Sequence, residues 1–227
     1  MPFLIILAAL AFLALIFGPQ VWVQRTMREH AGERPDLPGT GAELARHLLD
    51  EAGLESVRVE MTEEGDHYDP QDKAVRLTDG NFNGRSVTAA AVAAHEVSHA
   101  MQDRDQYAPL YYRQKLVIHA QTVQRIGTVL LLAAPLVFAL VRSPAVLIIE
   151  ILAALAIMAT TVAVHAVTLP TELDASFRRA LPVLNHYLPA RDMPAARQVL
   201  KAAAYTYVSA ALVSLLDVAR WFRLLIR

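Results

Sequence analysis

What most constrains this chain is the gathering of its apolar residues into long runs. Phe3 to Val23 is a stretch of about 21 residues without a charge, long enough as a helix to cross the ~30 Å hydrocarbon core of a bilayer. Ile126 to Val141 is a second run, bounded by Arg125 and Arg142, and Pro144 to Thr168 is a third, interrupted only by Glu150 and His165. Ala202 to Val218 is a fourth and weaker one. Tyr205 and Tyr207 stand at one end of it and Trp221 and Phe222 at the other, the arrangement of a membrane-interface belt. Its short length and Asp217 leave open a helix packed on a soluble domain. The first run competes with a cleaved signal peptide, but it lacks a basic leader and is too long, which favours an uncleaved anchor. Arg142-Ser143-Pro144 is only a turn, so the second and third runs form an antiparallel hairpin. The expected class is a mainly α membrane protein, a helical transmembrane bundle with a small α+β region between its spans.

Composition excludes several classes. A net charge of −1 gives no basic patch for nucleic acid and no general attraction to acidic lipid. The chain has no cysteine, so it forms no disulfide and any metal site draws on His, Asp or Glu.

Between the first two runs lies the polar part of the chain. After the connector Gln24 to Pro38, Thr40-Gly41-Ala42-Glu43 is a capping box. It opens a helix with an apolar stripe of Leu44, Leu48 and Leu49, which Gly53 ends. Ser56 to Met61 and Lys73 to Thr78 alternate apolar and polar residues, as half-buried strands do. The turn-rich Asp66 to Asp72 between them suggests a small hairpin or two-stranded edge, able to take a substrate backbone by strand addition.

Ser86 to Asp103 is rich in alanine and free of glycine and proline, so it reads as a helix. Within it, His95-Glu96-Val97-Ser98-His99 is H-E-x-x-H. Residues four apart share a helix face, so His95 and His99 can present two imidazoles to one metal ion. Glu96, about 100° around the helix, suits a carboxylate that takes a proton from a metal-activated water. Gln102 falls on the same face as His99, as an orienting or substrate-contacting residue. With 8 His and 11 Glu in 227 residues, shuffling yields this motif about once in a hundred chains, so context must decide. The plain alternative is a surface helix carrying two histidines.

The context is a second carboxylate-bearing segment, Thr171 to Arg179, directly after Pro170, where the third run should stop or kink. The hairpin returns the chain to the side of the H-E-x-x-H helix, and a downstream carboxylate is what a His₂Glu zinc site requires. His165 is a weaker competitor for the metal. His67, Tyr68 and His186 are candidates to stabilise an oxyanion, with turn chemistry and exposure as the plain explanation.

Together the anchor, TGAELARHLLDEAGL, DHYDPQDKAVRL, VAAHEVSHAMQ, YAPL, TLPTELDASFRRAL and ARQVLKAAAYTYVSA resemble the YugP-like family of bacterial membrane zinc metallopeptidases. Its core logic is similar to that of HtpX-type gluzincins. The resemblance implies a zincin-like catalytic region with one Zn²⁺, His95, His99 and Glu172 as ligands, Glu96 as general base, and a protein or peptide substrate. In HtpX-type enzymes an Asp follows the ligand Glu by four residues, and here that position is Ser176, with Asp174 as a displaced substitute. The implied division is an anchor (1–23), a soluble catalytic region (24–125), a transmembrane hairpin (126–169), a third-ligand helix and loop (170–201) and a C-terminal membrane or membrane-associated helix (202–227). Rival readings are a zinc-binding membrane scaffold that cleaves nothing and an intramembrane protease, the latter disfavoured by the polar NFNGR and DRDQ flanking the motif helix. The excess of Arg and Lys at the catalytic ends of the runs places a multi-pass protein in the cell membrane with its site on the cytoplasmic side.

Overall fold

The computed structural model describes residues 2–208. The apolar run at the start forms helix α1 (Pro2–Glu29). Thr40 caps α2 (Gly41–Glu51) through a complete capping box, its side chain accepting from the Glu43 N–H while the Glu43 carboxylate accepts from the Thr40 N–H. Gly53 (φ +68°) turns the chain out of the helix, as a residue without Cβ does at little cost.

The sheet corrects the expected two-stranded hairpin. It has three strands, β1 (Arg58–Met61), β2 (His67–Asp69) and β3 (Ala74–Leu77), in the order β1-β3-β2. β1 and β3 run parallel, and the hairpin partner of β3 is β2, with His67 opposite Arg76 and Asp69 opposite Ala74. Three residues are too few to show an alternation. The Asp69 carboxylate accepts from the N–H groups of Gln71 and Asp72, folding the turn that looked like a plain link. β1 and β2 are therefore the two edges of the sheet.

A short helix α3 (Asp79–Phe82) leads to α4 (Val87–Arg104), capped by Ser86, whose hydroxyl accepts from the Ala89 N–H. Every α4 residue from Val87 to Ala100 is buried, which rules out the surface-helix alternative. Its six alanines let other elements come close on all sides. Around it lie Leu48 and Leu49 of α2, Val75 and Leu77 of β3, and Leu184, Val199 and Leu200 from later in the chain.

α5 (Ala108–Val141) and α6 (Pro144–Leu173) form the predicted antiparallel pair. The turn is made by Arg142 in the left-handed region (φ 47°), Ser143 as cap and Pro144 in the first turn of α6. The two helices come so close at Gly127 that a Cβ there would lie 2.4 Å from Ile157 Cδ1. Among the described residues, one helical stretch, Pro144–Leu184, is long and apolar enough to cross a membrane, with a mean hydropathy of 2.4. Ala108–Leu130 with Pro135–Val141, bent by 47°, passes the same test as a pair. Pro170 does not stop α6. The helix continues to Leu173 and then widens into a π-helical segment (Asp174–Ala180), with the Asp174 N–H directed to the carbonyls of both Pro170 and Thr171. A proline's φ fits a helix, so the one bond lost at Pro170 does not end it, and the widening begins four residues further on.

α7 (Leu181–Leu184), a 3₁₀ turn (Ala190–Asp192) and helix α8, described over 193–208, complete the chain. Most of the fourth apolar run lies outside the described residues.

Candidate metal centre

The motif helix and the π-helical turn meet at three side chains. One ligand atom from each of His95, His99 and Glu172 lies within 4.8 Å of the others, and all three residues are buried. Glu172 Oε2 is 3.1 Å from His95 Nε2 and 3.3 Å from His99 Nε2. Two ligand atoms about 2.0–2.1 Å from a tetrahedral zinc lie about 3.3 Å apart, so the spacing fits that ion.

Hydrogen bonding fixes which ring nitrogen faces the carboxylate. Ser176 Oγ donates to the Leu200 carbonyl at 3.0 Å, so it accepts from His95 Nδ1–H, also at 3.0 Å. Gln102 Nε2 donates to the Thr171 carbonyl and to Asp174 Oδ2, both at 2.9 Å, which turns Oε1 to accept from His99 Nδ1–H at 2.9 Å. Both Nδ1 atoms therefore carry a proton, so in the neutral rings both Nε2 atoms turn a lone pair towards an anionic oxygen. Three lone-pair donors converging in a buried pocket repel one another unless a cation lies between them. Burial opposes a charge on His99, but Glu172 outweighs it and raises the His99 pKa above the ordinary value. A metal ion answers the same electrostatic demand as that proton.

Glu96 is buried beside this cluster, and burial pushes its carboxyl pKa up. It lines the same cleft as the ligand residues, a space of about 870 Å³ bounded by Gly65 to Tyr68 at the sheet edge, by α5 and by α8.

The expected site residues fare differently. Gln102 is fully buried and orients His99, so it is not placed to touch substrate. Ser176, a departure from the HtpX-type pattern, has its hydroxyl on His95 instead of a carboxylate. Asp174 reaches the site indirectly, through Gln102, and is itself held by Arg179 Nε at 2.8 Å. His67 lines the cleft, but its Nδ1–H is given to the Gly65 carbonyl at 2.8 Å. Tyr68 also lines it, with its hydroxyl committed to Asp103 at 2.6 Å. His186 is exposed in the turn after α7 and is not brought to the cleft. His165 is not among the converging ligand atoms.

Two residues escaped sequence reasoning. Arg113 Nη1 lies 3.2 Å from Glu172 Oε1, and Arg113 Nη2 donates to the Tyr207 hydroxyl at 2.6 Å. Tyr207, expected in an aromatic belt, faces the cleft together with its neighbour Thr206 and with Ala203, one helical turn back. The spacing of Ala203, Thr206 and Tyr207 on one face was the only signal available.

With this geometry established, comparison with known proteins is specific. A family model described as "Putative neutral zinc metallopeptidase" matches residues 4–226. A protein of Bacillus subtilis (strain 168), "Putative membrane protease YugP", is 34% identical over 223 residues, covering 96% of this chain and 95% of that protein. No solved structure matches the chain.

Proposed function

The chain belongs to the family described as "Putative neutral zinc metallopeptidase", and from that premise we propose that it is a zinc-dependent endopeptidase embedded in the cell membrane. The observation that carries this reading is the convergence of His95 Nε2, His99 Nε2 and Glu172 Oε2 beside a buried Glu96 that no ligand position needs. His95, His99 and Glu172, which all line the cleft, would hold one Zn²⁺. When bound, zinc would polarise the peptide carbonyl and acidify a water. Glu96 takes the proton of the attacking water and delivers it to the leaving amine. β2, the sheet edge that lines the cleft, offers backbone N–H and C=O groups to an extended peptide.

Membrane embedding is supported by the exposed apolar surface of α5 and α6, the name of the Bacillus relative and the run in α1. The division into anchor (1–23), catalytic region (24–125), hairpin (126–169), third-ligand segment (170–201) and C-terminal helix (202–227) follows that reading. So does a multi-pass topology with the site on the cytoplasmic side, supported by Arg25, Arg28, Arg113, Lys115, Arg125, Arg178 and Arg179 near the catalytic ends of the runs.

The test is a pair of variants in detergent or liposomes. Glu96→Gln should keep stoichiometric zinc and lose at least about a hundredfold in casein hydrolysis, the scale of general-base loss. Glu172→Ala should lose the metal itself. Zinc bound as tightly by Glu172→Ala as by the parent would remove the third ligand, and Glu96→Gln hydrolysing casein at the parent rate would remove the mechanism.

A further inference from the structure

Peptide hydrolysis at such a centre needs a hydrogen-bond donor for the oxygen that becomes negative as water adds to the carbonyl. Among the described polar residues lining the cleft, the obvious candidates have already committed their protons. His67 gives Nδ1–H to the Gly65 carbonyl, which leaves Nε2 of the neutral ring as an acceptor. The Tyr68 O–H is given to Asp103 Oδ2. Tyr207 differs in the direction of its bond. Its oxygen accepts from Arg113 Nη2 at 2.6 Å, and its own proton has no acceptor among the described residues.

Arg113 polarises that donor. The Arg113 guanidinium carbon sits 4.9 Å from the Tyr207 ring centroid. A cation bonded to the phenol oxygen draws electron density from it and makes its O–H a better donor. The same guanidinium bridges to Glu172 Oε1 at 3.2 Å, while Glu172 Oε2 faces the two histidines. Arg113 thus ties the position of Tyr207 to the ligand carboxylate, and the phenol lines the same cleft as His95, Glu96 and His99.

Given the peptide-hydrolysing zinc centre proposed above, we propose that Tyr207 is the oxyanion donor of this enzyme, supplied by the C-terminal helix and aimed by Arg113. The Tyr207 O–H hydrogen-bonds the carbonyl oxygen as water adds to the carbon and the C–O π pair moves onto that oxygen. The proton stays on the phenol, and the bond relaxes when the C–N bond breaks and the carbonyl re-forms. Arg113 is a positioning residue, because it acts through Tyr207 and Glu172.

The experiment compares the zinc-loaded parent with Tyr207→Phe in two readouts. One is the kcat and KM for casein hydrolysis. The other is the affinity for a phosphinic dipeptide, whose tetrahedral anion imitates the developing oxyanion. Tyr207→Phe should bind zinc like the parent, lower kcat about 10²–10³-fold with KM within about twofold, and weaken phosphinic binding by at least about tenfold. An unchanged kcat overturns the proposal. So does a fall in kcat with phosphinic affinity intact, since a strut that only holds α8 in place would do that. Should Tyr207→Phe lose its zinc or its fold, 3-fluorotyrosine at position 207 preserves shape and lowers the phenol pKa. Phosphinic binding must then fall off at a lower pH than in the parent, and an identical profile refutes the role. A parent that binds the phosphinic dipeptide but leaves casein intact would defeat the peptidase reading while the Tyr207 comparison still stands.

Discussion

Two regions of this molecule break the usual inside-out arrangement in opposite senses. Where α4 meets the end of α6, polar groups crowd the interior. His95, Glu96, His99, Gln102, Glu172, Asp174 and Ser176 are all buried, several with no exposure at all. In the α5–α6 hairpin the apolar groups are outside, with Leu132, Leu136 and Leu140 between 65% and 77% exposed. Buried polar groups are tolerated when every lone pair is answered, and large exposed apolar patches when something apolar covers them. Each anomaly fits the function proposed above, in which a cation answers one region and lipid covers the other. The same chain connects them, since α6 carries apolar residues outward and, two residues after Pro170, the carboxylate of Glu172 beside the histidines.

The largest effect should come from the polar region. His99→Ala removes one of three donors and should weaken zinc binding by roughly two to three orders of magnitude. In the parent, chelation by EDTA should lower the unfolding temperature. Metal present at a hundred times its dissociation constant contributes about 2.7 kcal/mol. In His99→Ala that shift should vanish. A parent whose melting is indifferent to EDTA would mean that the buried cluster is satisfied without a cation, and the contrast between the two regions would collapse on this side.

The exposed region is broken by a charge. Leu136→Lys, at a position 66% exposed, would be nearly neutral on a water-facing surface, within about 0.5 kcal/mol. Within the hydrocarbon layer it should cost about 2.5–3.5 kcal/mol, read as a collapse in membrane-inserted yield. Normal insertion with unchanged thermal stability would show that lipid is not what covers the hairpin.

How much of this was legible beforehand depends on how far apart in sequence the cause and its effect lie. The capping box at Thr40, the alanine helix and the H-E-x-x-H face are local patterns, and the structure shows each as read. Even the return of the Thr171–Arg179 segment followed from the short turn at Arg142–Pro144. β2 was missed because three residues have no period. The π-helical widening after Pro170 was missed because a lost hydrogen bond is locally indistinguishable from a helix end. Arg113 and Tyr207 are separated by 94 residues, and nothing local distinguishes either from an ordinary charged or interfacial residue. Ser176 was visible only as an expected carboxylate that is absent; its hydroxyl makes sense only beside the Leu200 carbonyl.

The two histidine supports sharpen the comparison within the polar region. Gln102 sits in a chain running from His99 through Asp174 and Arg179 to Asp105, whereas Ser176 ends at one backbone carbonyl. Orienting partners of metal-bound histidines are typically worth 10–100-fold in metal affinity. Gln102→Leu should fall at the upper end, because it also removes the bonds that Gln102 Nε2 gives to the Thr171 carbonyl and the Asp174 carboxylate. Ser176→Ala should fall at the lower end. Equal losses in competitive zinc titrations would show that the longer network adds nothing beyond its first bond.

The smallest effect concerns the part-buried ion pairs that hold the connector after α1 to the 3₁₀ turn before α8. Arg34 bonds Asp36 at 2.8 Å and Asp192 at 2.8 and 3.0 Å. Hydrogen bonding to Arg34 holds both carboxyl groups below their ordinary pKa. A folded-state pKa below the unfolded one gives stability that is present above the unfolded value, about 3.9 for Asp. That stability is lost as pH falls through the folded-state values. The parent should therefore lose unfolding temperature from about pH 4 downwards, and Asp192→Asn should flatten that decline while changing little at pH 7. Solvent screens these groups, so the difference should be small. A decline just as steep in Asp192→Asn would put the acid sensitivity elsewhere, and the buried carboxylates of the polar region would be the next place to look.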